Sequence, residues 1–92
     1  MGVAIEFTES AGKHGYSYED AIHAMLHAHY MESDFDDARL DGLPDPTLWI
    51  GPATSGRLIE VMTWQRPPDT VVIFHCMDAR PKFLQRMRRN QE

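Results

Sequence analysis

Residues 70–89 read TVVIFHCMDARPKFLQRMRR, and the reading of this stretch decides the fold. Val71, Val72, Ile73 and Phe74 form a β-branched and aromatic run, the composition of a strand with a buried face. The run carries on through His75 and Cys76 and breaks at Met77-Asp78-Ala79. Arg80-Pro81 follows, and proline suits the first turn of a helix, where its missing N–H costs nothing. Phe83, Leu84 and Met87 then give a narrow apolar stripe on a basic segment. The stretch therefore predicts a buried strand that feeds a short basic helix.

Working upstream, Arg57–Gln65 alternates, with Leu58, Glu60, Met62 and Trp64 on one face and Ile59, Val61 and Thr63 on the other. Arg66-Pro67-Pro68-Asp69 turns the chain, which predicts an antiparallel hairpin with Val71–Met77. Thr47–Ile50 is a short strand stopped by Gly51-Pro52, and Ser55-Gly56 is a turn. Tyr30 and Met31 open a strand before a surface loop in which six acids fall from Glu32 to Asp45. A helix is predicted from Tyr18 to about His29. Ser17 and Asp20 make a near capping box at its start. Tyr18, Ala21, Ile22, Met25, Ala28 and His29 share its apolar face, with Glu19, Asp20, His23 and His27 opposite. Val3–Phe7 is an edge strand, Thr8 caps one helical turn, and Gly15 ends it. This order predicts a single α+β domain over residues 1–92. A curved antiparallel sheet packs against an N-terminal helical segment and a short C-terminal helix.

Composition narrows the function classes. With 92 residues and 42% apolar content the chain can bury a core. A single cysteine, Cys76, excludes an internal disulfide and a cysteine-rich zinc site. No run approaches the ~20 apolar residues that span a bilayer, and no leader pattern is visible, so a cytoplasmic protein without a membrane role is expected. The net charge is −5, unevenly spread. Residues 1–77 hold twelve acids and four bases, and residues 78–92 hold two acids and five bases. An acidic body thus carries a basic tail.

Four groupings could carry chemistry. The acids of the 32–45 loop lack the central glycine and terminal glutamate of an EF-hand, which argues against calcium. His23 and His27, with Glu19 one turn earlier, have zinc-compatible spacing but not the HExxH pattern, and no metal or other cofactor is expected. Cys76 and His75 point to opposite strand faces, so they cannot pair as nucleophile and base. The remaining set suits RNA transesterification, which needs a base for the 2′-hydroxyl, a cation for the phosphorane and an acid for the leaving oxygen. His14, His75 or Glu60 can move protons. Arg57, Arg80, Lys13 and Lys82 can contact phosphate, with Arg86 a further basic RNA contact on the final helix.

Lys13-His14-Gly15-Tyr16-Ser17-Tyr18-Glu19-Asp20-Ala21 resembles the KHG(V/I)S-x-E-(D/E)-A signature of BrnT-like toxins. Ile50-Gly51, Gly56-Arg57-Leu58-Ile59-Glu60-Val61 and Val72-Ile73 through Ala79-Arg80-Pro81 follow that family's order, so the resemblance runs over roughly residues 5 to 89. It implies a RelE-like fold and a metal-independent ribonuclease toxin of a type II toxin–antitoxin system. Its partners would be RNA, free or on the ribosome, and a ribbon-helix-helix antitoxin, with homo-oligomerisation left open. The chain departs from the family in its short segment before Lys13-His14-Gly15 and in its acidic charge. A competing expectation follows: a non-enzymatic interaction module on the same fold, using the acidic 32–45 loop or the basic C-terminal helix.

Overall fold

A computed structural model of the chain describes residues 3–33 and 46–91. Its elements are β1 (Ala4–Phe7), α1 (Glu9–Gly12), α2 (Tyr18–Leu26), β2 (Tyr30–Ser33), β3 (Thr47–Pro52), β4 (Leu58–Arg66), β5 (Thr70–Asp78) and α3 (Pro81–Gln91). The expected α+β class holds: one five-stranded sheet, ordered β1-β5-β4-β3-β2, carries helices on its faces. The acidic run at 34–45 lies outside the described residues.

The predicted hairpin forms β4 and β5, paired antiparallel from Ile59↔Asp78 to Arg66↔Thr70 with an irregularity between Met62 and Thr63. The sheet is mixed, whereas the sequence reading expected it to be antiparallel throughout. β1 runs parallel to β5, with Ala4 opposite Thr70 and Phe7 opposite Ile73. The two helices after β1 carry the chain to the far edge of the sheet, and this crossover leaves β1 to fill the open side of β5.

Two boundaries also move. α2 stops at Leu26, short of the expected His29, and His27 caps it by donating its N–H to the His23 carbonyl. The competing interaction is β-pairing: the His29 N–H donates to the Ile50 carbonyl at 2.8 Å and Tyr30 then pairs with Ile50. β3 runs through Gly51 and Pro52, which pair with Ile59 and Leu58. Gly51 belongs in the strand because α2 crosses it closely. A Cβ at this position would lie 2.2 Å from the Ala24 carbonyl oxygen and 3.1 Å from Ala28 Cα. Gly51→Ala is therefore expected to destabilise the fold by about 1–3 kcal/mol, since backbone on both sides must shift. A lowered urea midpoint with unchanged slope is the result to look for.

The N-terminus of α2 is tied down as its sequence predicts. Ser17 Oγ accepts the Asp20 N–H, and Asp20 Oδ2 accepts the Ser17 N–H, both at 3.1 Å. Asp20 Oδ1 also accepts the hydroxyl of Thr54 at 2.6 Å and its N–H at 3.0 Å. The Thr54 hydroxyl leads in holding the Asp20 carboxyl at a pKa of about 2.

Apolar side chains pack on both faces of the sheet. Ala11, Ala21, Ala24, Ala53, Ile59, Val61, Ile73 and Cys76 form the core beneath α1 and α2. Leu48, Ile50, Met62 and Phe83 form the second, beneath α3, joined by Leu84 and Met87. The predicted stripe of α3 thus seats it on the sheet, and the face it covers includes a fully buried carboxylate, Glu60.

Candidate functional site

Glu60 is fully buried, one of two buried polar or charged residues among those described. The hairpin register explains what surrounds it. Glu60 stands opposite Met77 and Met62 stands opposite His75, so Glu60 and His75 point to the same face. His75 Nε2 lies 2.8 Å from Glu60 Oε2. At the end of β5 the Ala79 N–H donates to the Leu58 carbonyl, which turns the chain back over β4. Arg80 then opens α3, its carbonyl accepting the N–H groups of Phe83 and Leu84. From there its own N–H reaches Glu60 Oε1 at 2.9 Å. Its Nε donates to Oε2 at 3.0 Å and its Nη2 to Oε2 at 2.6 Å.

Burial works to raise the pKa of the Glu60 carboxyl. The hydrogen bonds from His75 and Arg80 outweigh it and hold the group below the ordinary carboxylate range. The same contact raises the pKa of Arg80. Arg80 lies over the Phe83 ring, 5.2 Å from its centroid, and Lys82 Nζ lies 4.9 Å from it. A cation over an aromatic face is attracted by the ring quadrupole, which helps hold both side chains at the start of α3.

His14 joins from the other side. Where β1 ends, Thr8 caps α1, and the Ser10 hydroxyl donates to the Phe74 carbonyl at 3.0 Å. α1 is thereby held against the part of β5 that β1 leaves uncovered. Gly15, at φ +91°, turns the chain immediately afterwards. The His14 ring stands edge-on to His75, with centroids 6.0 Å apart. Four of the expected residues, His14, His75, Glu60 and Arg80, are thus brought together from four separate segments.

The other expected residues fall elsewhere. Arg57 Nε donates to Asp78 Oδ1 at 3.0 Å, and the Tyr16 hydroxyl donates to the same oxygen. Asp78 is the partner of Ile59, so this pair lies on the face opposite Glu60, at the same end of the hairpin. The Tyr16 hydroxyl has its pKa raised, chiefly by that bond to Asp78. Lys13 and Lys82 are exposed at the rim. Arg86 forks onto Glu32, Nε to Oε1 at 2.7 Å and Nη2 to Oε2 at 2.5 Å. Tyr30 also donates to Glu32, and Asn90 donates to the Tyr30 hydroxyl at 2.9 Å, so Arg86 docks α3 on β2.

Comparison of the chain with protein-family models, curated proteins and solved structures found no match. The geometry is therefore the ground for any functional reading. His23 Nδ1 donates to the Pro52 carbonyl at 2.8 Å and its ring lies 4.5 Å from that of His27. Among the described residues no three His, Cys, Asp or Glu side chains gather to hold a metal. Cys76 is buried, which pushes its thiol up to about 12 and disfavours the thiolate a nucleophile needs. What remains is a carboxylate-anchored imidazole beside a guanidinium and a second imidazole. Such a set can move a proton next to an anion.

The sequence reading missed Asp78, Tyr16, Glu32 and Phe83. Asp78 was legible as an acid two residues before Arg80. The Tyr16 and Glu32 contacts span 62 and 54 residues, and nothing local announces them.

Proposed function

We propose that the protein is a metal-independent ribonuclease of the toxin class that its KHG…EDA, GRL and AR-P segments resemble. The observation that carries this reading is the convergence of His75 and Arg80 on the buried Glu60, with the His14 ring beside that of His75. In this reading Arg80 meets the scissile phosphate through its Nη1, which makes no hydrogen bond among the described residues. Lys13 and Lys82 extend the contact along the backbone, and Arg57 supplies a further cation at the same end of the sheet. One imidazole takes the proton of the 2′-hydroxyl. O2′ then attacks phosphorus, the bond to O5′ breaks, and O5′ leaves with a proton from the other imidazole. The products are a 2′,3′-cyclic phosphate and a 5′-hydroxyl. A ribbon-helix-helix antitoxin is the implied protein partner.

The expected result is cleavage of RNA by the purified protein in the presence of a chelator, with cyclic-phosphate ends, and slowed bacterial growth on expression. Soluble, folded protein that leaves both RNA and growth untouched would overturn the reading.

One observation favours a second reading, a non-enzymatic interaction module. Arg57, Arg66, Arg80 and Arg86 are each paired with an acid, Asp78, Glu6, Glu60 and Glu32 respectively. Much of the positive charge is thus neutralised internally. This reading requires a salt-sensitive complex with a protein partner and no RNA cleavage at any ionic strength.

A further inference from the structure

Glu60 could serve the site in two ways, as a base or as a holder of other groups. We propose that Glu60 is a positioning residue: it fixes the proton of His75 on Nε2 and so makes Nδ1 the atom through which His75 exchanges protons. The catalytic consequence rests on the ribonuclease reading above, but the placement of the proton does not.

The geometry excludes the alternative role. A base must reach its substrate, and Glu60 has no exposed surface. Its two oxygens are also occupied. Oε1 accepts the Arg80 N–H and Nε, and Oε2 accepts Arg80 Nε, Arg80 Nη2 and His75 Nε2. Arginine carries donors only, so a protonated carboxyl would set its own hydrogen against a donor-rich ring of neighbours. The carboxylate is therefore ionised and accepts only. An acceptor 2.8 Å from His75 Nε2 requires a hydrogen on that nitrogen. In the neutral ring the lone pair then falls on Nδ1.

Two consequences follow for the proposed reaction. Proton transfer by His75 runs through Nδ1, the nitrogen that the buried carboxylate does not hold. The bond to Glu60 also locks the ring's rotation, as does the guanidinium fork for Arg80, so one carboxylate sets the spacing between imidazole and phosphate contact. That spacing is what makes proton transfer and charge stabilisation act on one substrate. A freely rotating His75 would sample it only part of the time.

The test uses the full chain and side-chain nitrogen NMR at a pH where the ring is neutral. For the wild type, the expected result is a single His75 tautomer with the hydrogen on Nε2, that hydrogen being protected from solvent exchange. In Glu60→Met the protection should vanish, with the backbone amide spectrum reporting a retained fold. A wild-type ring protonated on Nδ1, or an Nε2 hydrogen that exchanges as fast as in the variant, overturns the proposal. The kinetic arm uses Glu60→Gln, which keeps the shape and loses the charge. A positioning role predicts a fall in kcat of at least about tenfold with KM little changed. An unchanged kcat overturns the catalytic consequence. Wild-type protein that shows the protected Nε2 hydrogen and leaves RNA intact would remove the ribonuclease reading while the proton placement stands.

Discussion

Arg80→Ala is expected to lower RNA cleavage by ~10²-fold or more and to cost about 3 kcal/mol of folding stability. The two losses have different origins. The rate falls because in the proposed reaction the guanidinium, held on the same carboxylate as His75, contacts the phosphate, and removing one donor to a developing oxyanion typically costs this much. Stability falls because Glu60 stays behind, fully buried and held by His75 and the backbone N–H alone. Breaking one half of a buried pair is more damaging than replacing both, since a charge is left uncompensated. Arg80 itself is 37% exposed in its side chain, which places the loss at the low end of the range for such pairs. Urea unfolding measures one term, and initial cleavage rates at a temperature where the variant is folded measure the other. Arg80→Lys separates them further. Its ammonium restores charge beside Glu60, but it cannot contact Oε2 and a phosphate in a planar fork. Recovery of stability without recovery of rate is the expected pattern. A variant Arg80→Ala with wild-type cleavage would remove Arg80 from the phosphate-binding role.

The parts of this architecture that the sequence announced are those with a local cause. The β4–β5 hairpin follows from alternation in residues 57–65 and the apolar run at 71–74, with a proline-rich turn between them. The start of α2 follows from Ser17 and Asp20, whose capping bonds span three residues. The end of α2 was not legible, because it is decided by pairing of His29 and Tyr30 with Ile50, far along the chain. Gly51 looked like a strand terminator, although its function is to let α2 approach. The parallel seat of β1 depends on which edge of β5 remains open after the hairpin forms, and no short segment encodes that.

The candidate site divides in the same way. His75 and Arg80 stand out locally, at the end of a buried strand and the start of a basic helix. Their meeting through Glu60 depends on the hairpin register, with Glu60 opposite Met77 and Met62 opposite His75. Alternation alone places Glu60 on a face with Leu58 and Met62, but it does not say that α3 will cover it. Residue type alone makes Arg57 a candidate phosphate contact alongside Arg80. The register instead sends it to Asp78, since Ile59 and Asp78 share the face opposite Glu60. Arg86 lies on the basic helix but is spent on Glu32, a contact 54 residues distant.

Glu60→Met should separate folding from function most sharply. The side chain sits opposite Ile50 on one neighbouring strand and Met77 on the other, on the face that α3 covers. Methionine has a similar length and can fill that space without the cost of burying a charge. Arg80 and His75 lose their acceptor, but both side chains reach solvent, at 37% and 21% exposure, so water can replace it. The Arg80 N–H loses its bond to Oε1, a cost of about 1 kcal/mol. Apolar replacement of a buried ionic group is often neutral or stabilising by about 1–4 kcal/mol. At neutral pH the variant is therefore expected to unfold at a urea concentration no lower than the wild type. The acid side provides an internal check. Glu60 has its folded pKa below the ordinary value of 4.5, so its contribution to wild-type stability is present above that pH. It is lost as the pH falls through the folded value, and Glu60→Met should lack this component of the acid dependence. Cleavage, by contrast, should drop by ~10²-fold, because His75 loses its orientation and Arg80 its anchor. A chain that folds as well or better without the buried Glu60 carboxylate, yet no longer acts, retains that carboxylate for the site. A variant that unfolds more easily and still cleaves RNA would assign Glu60 to folding alone.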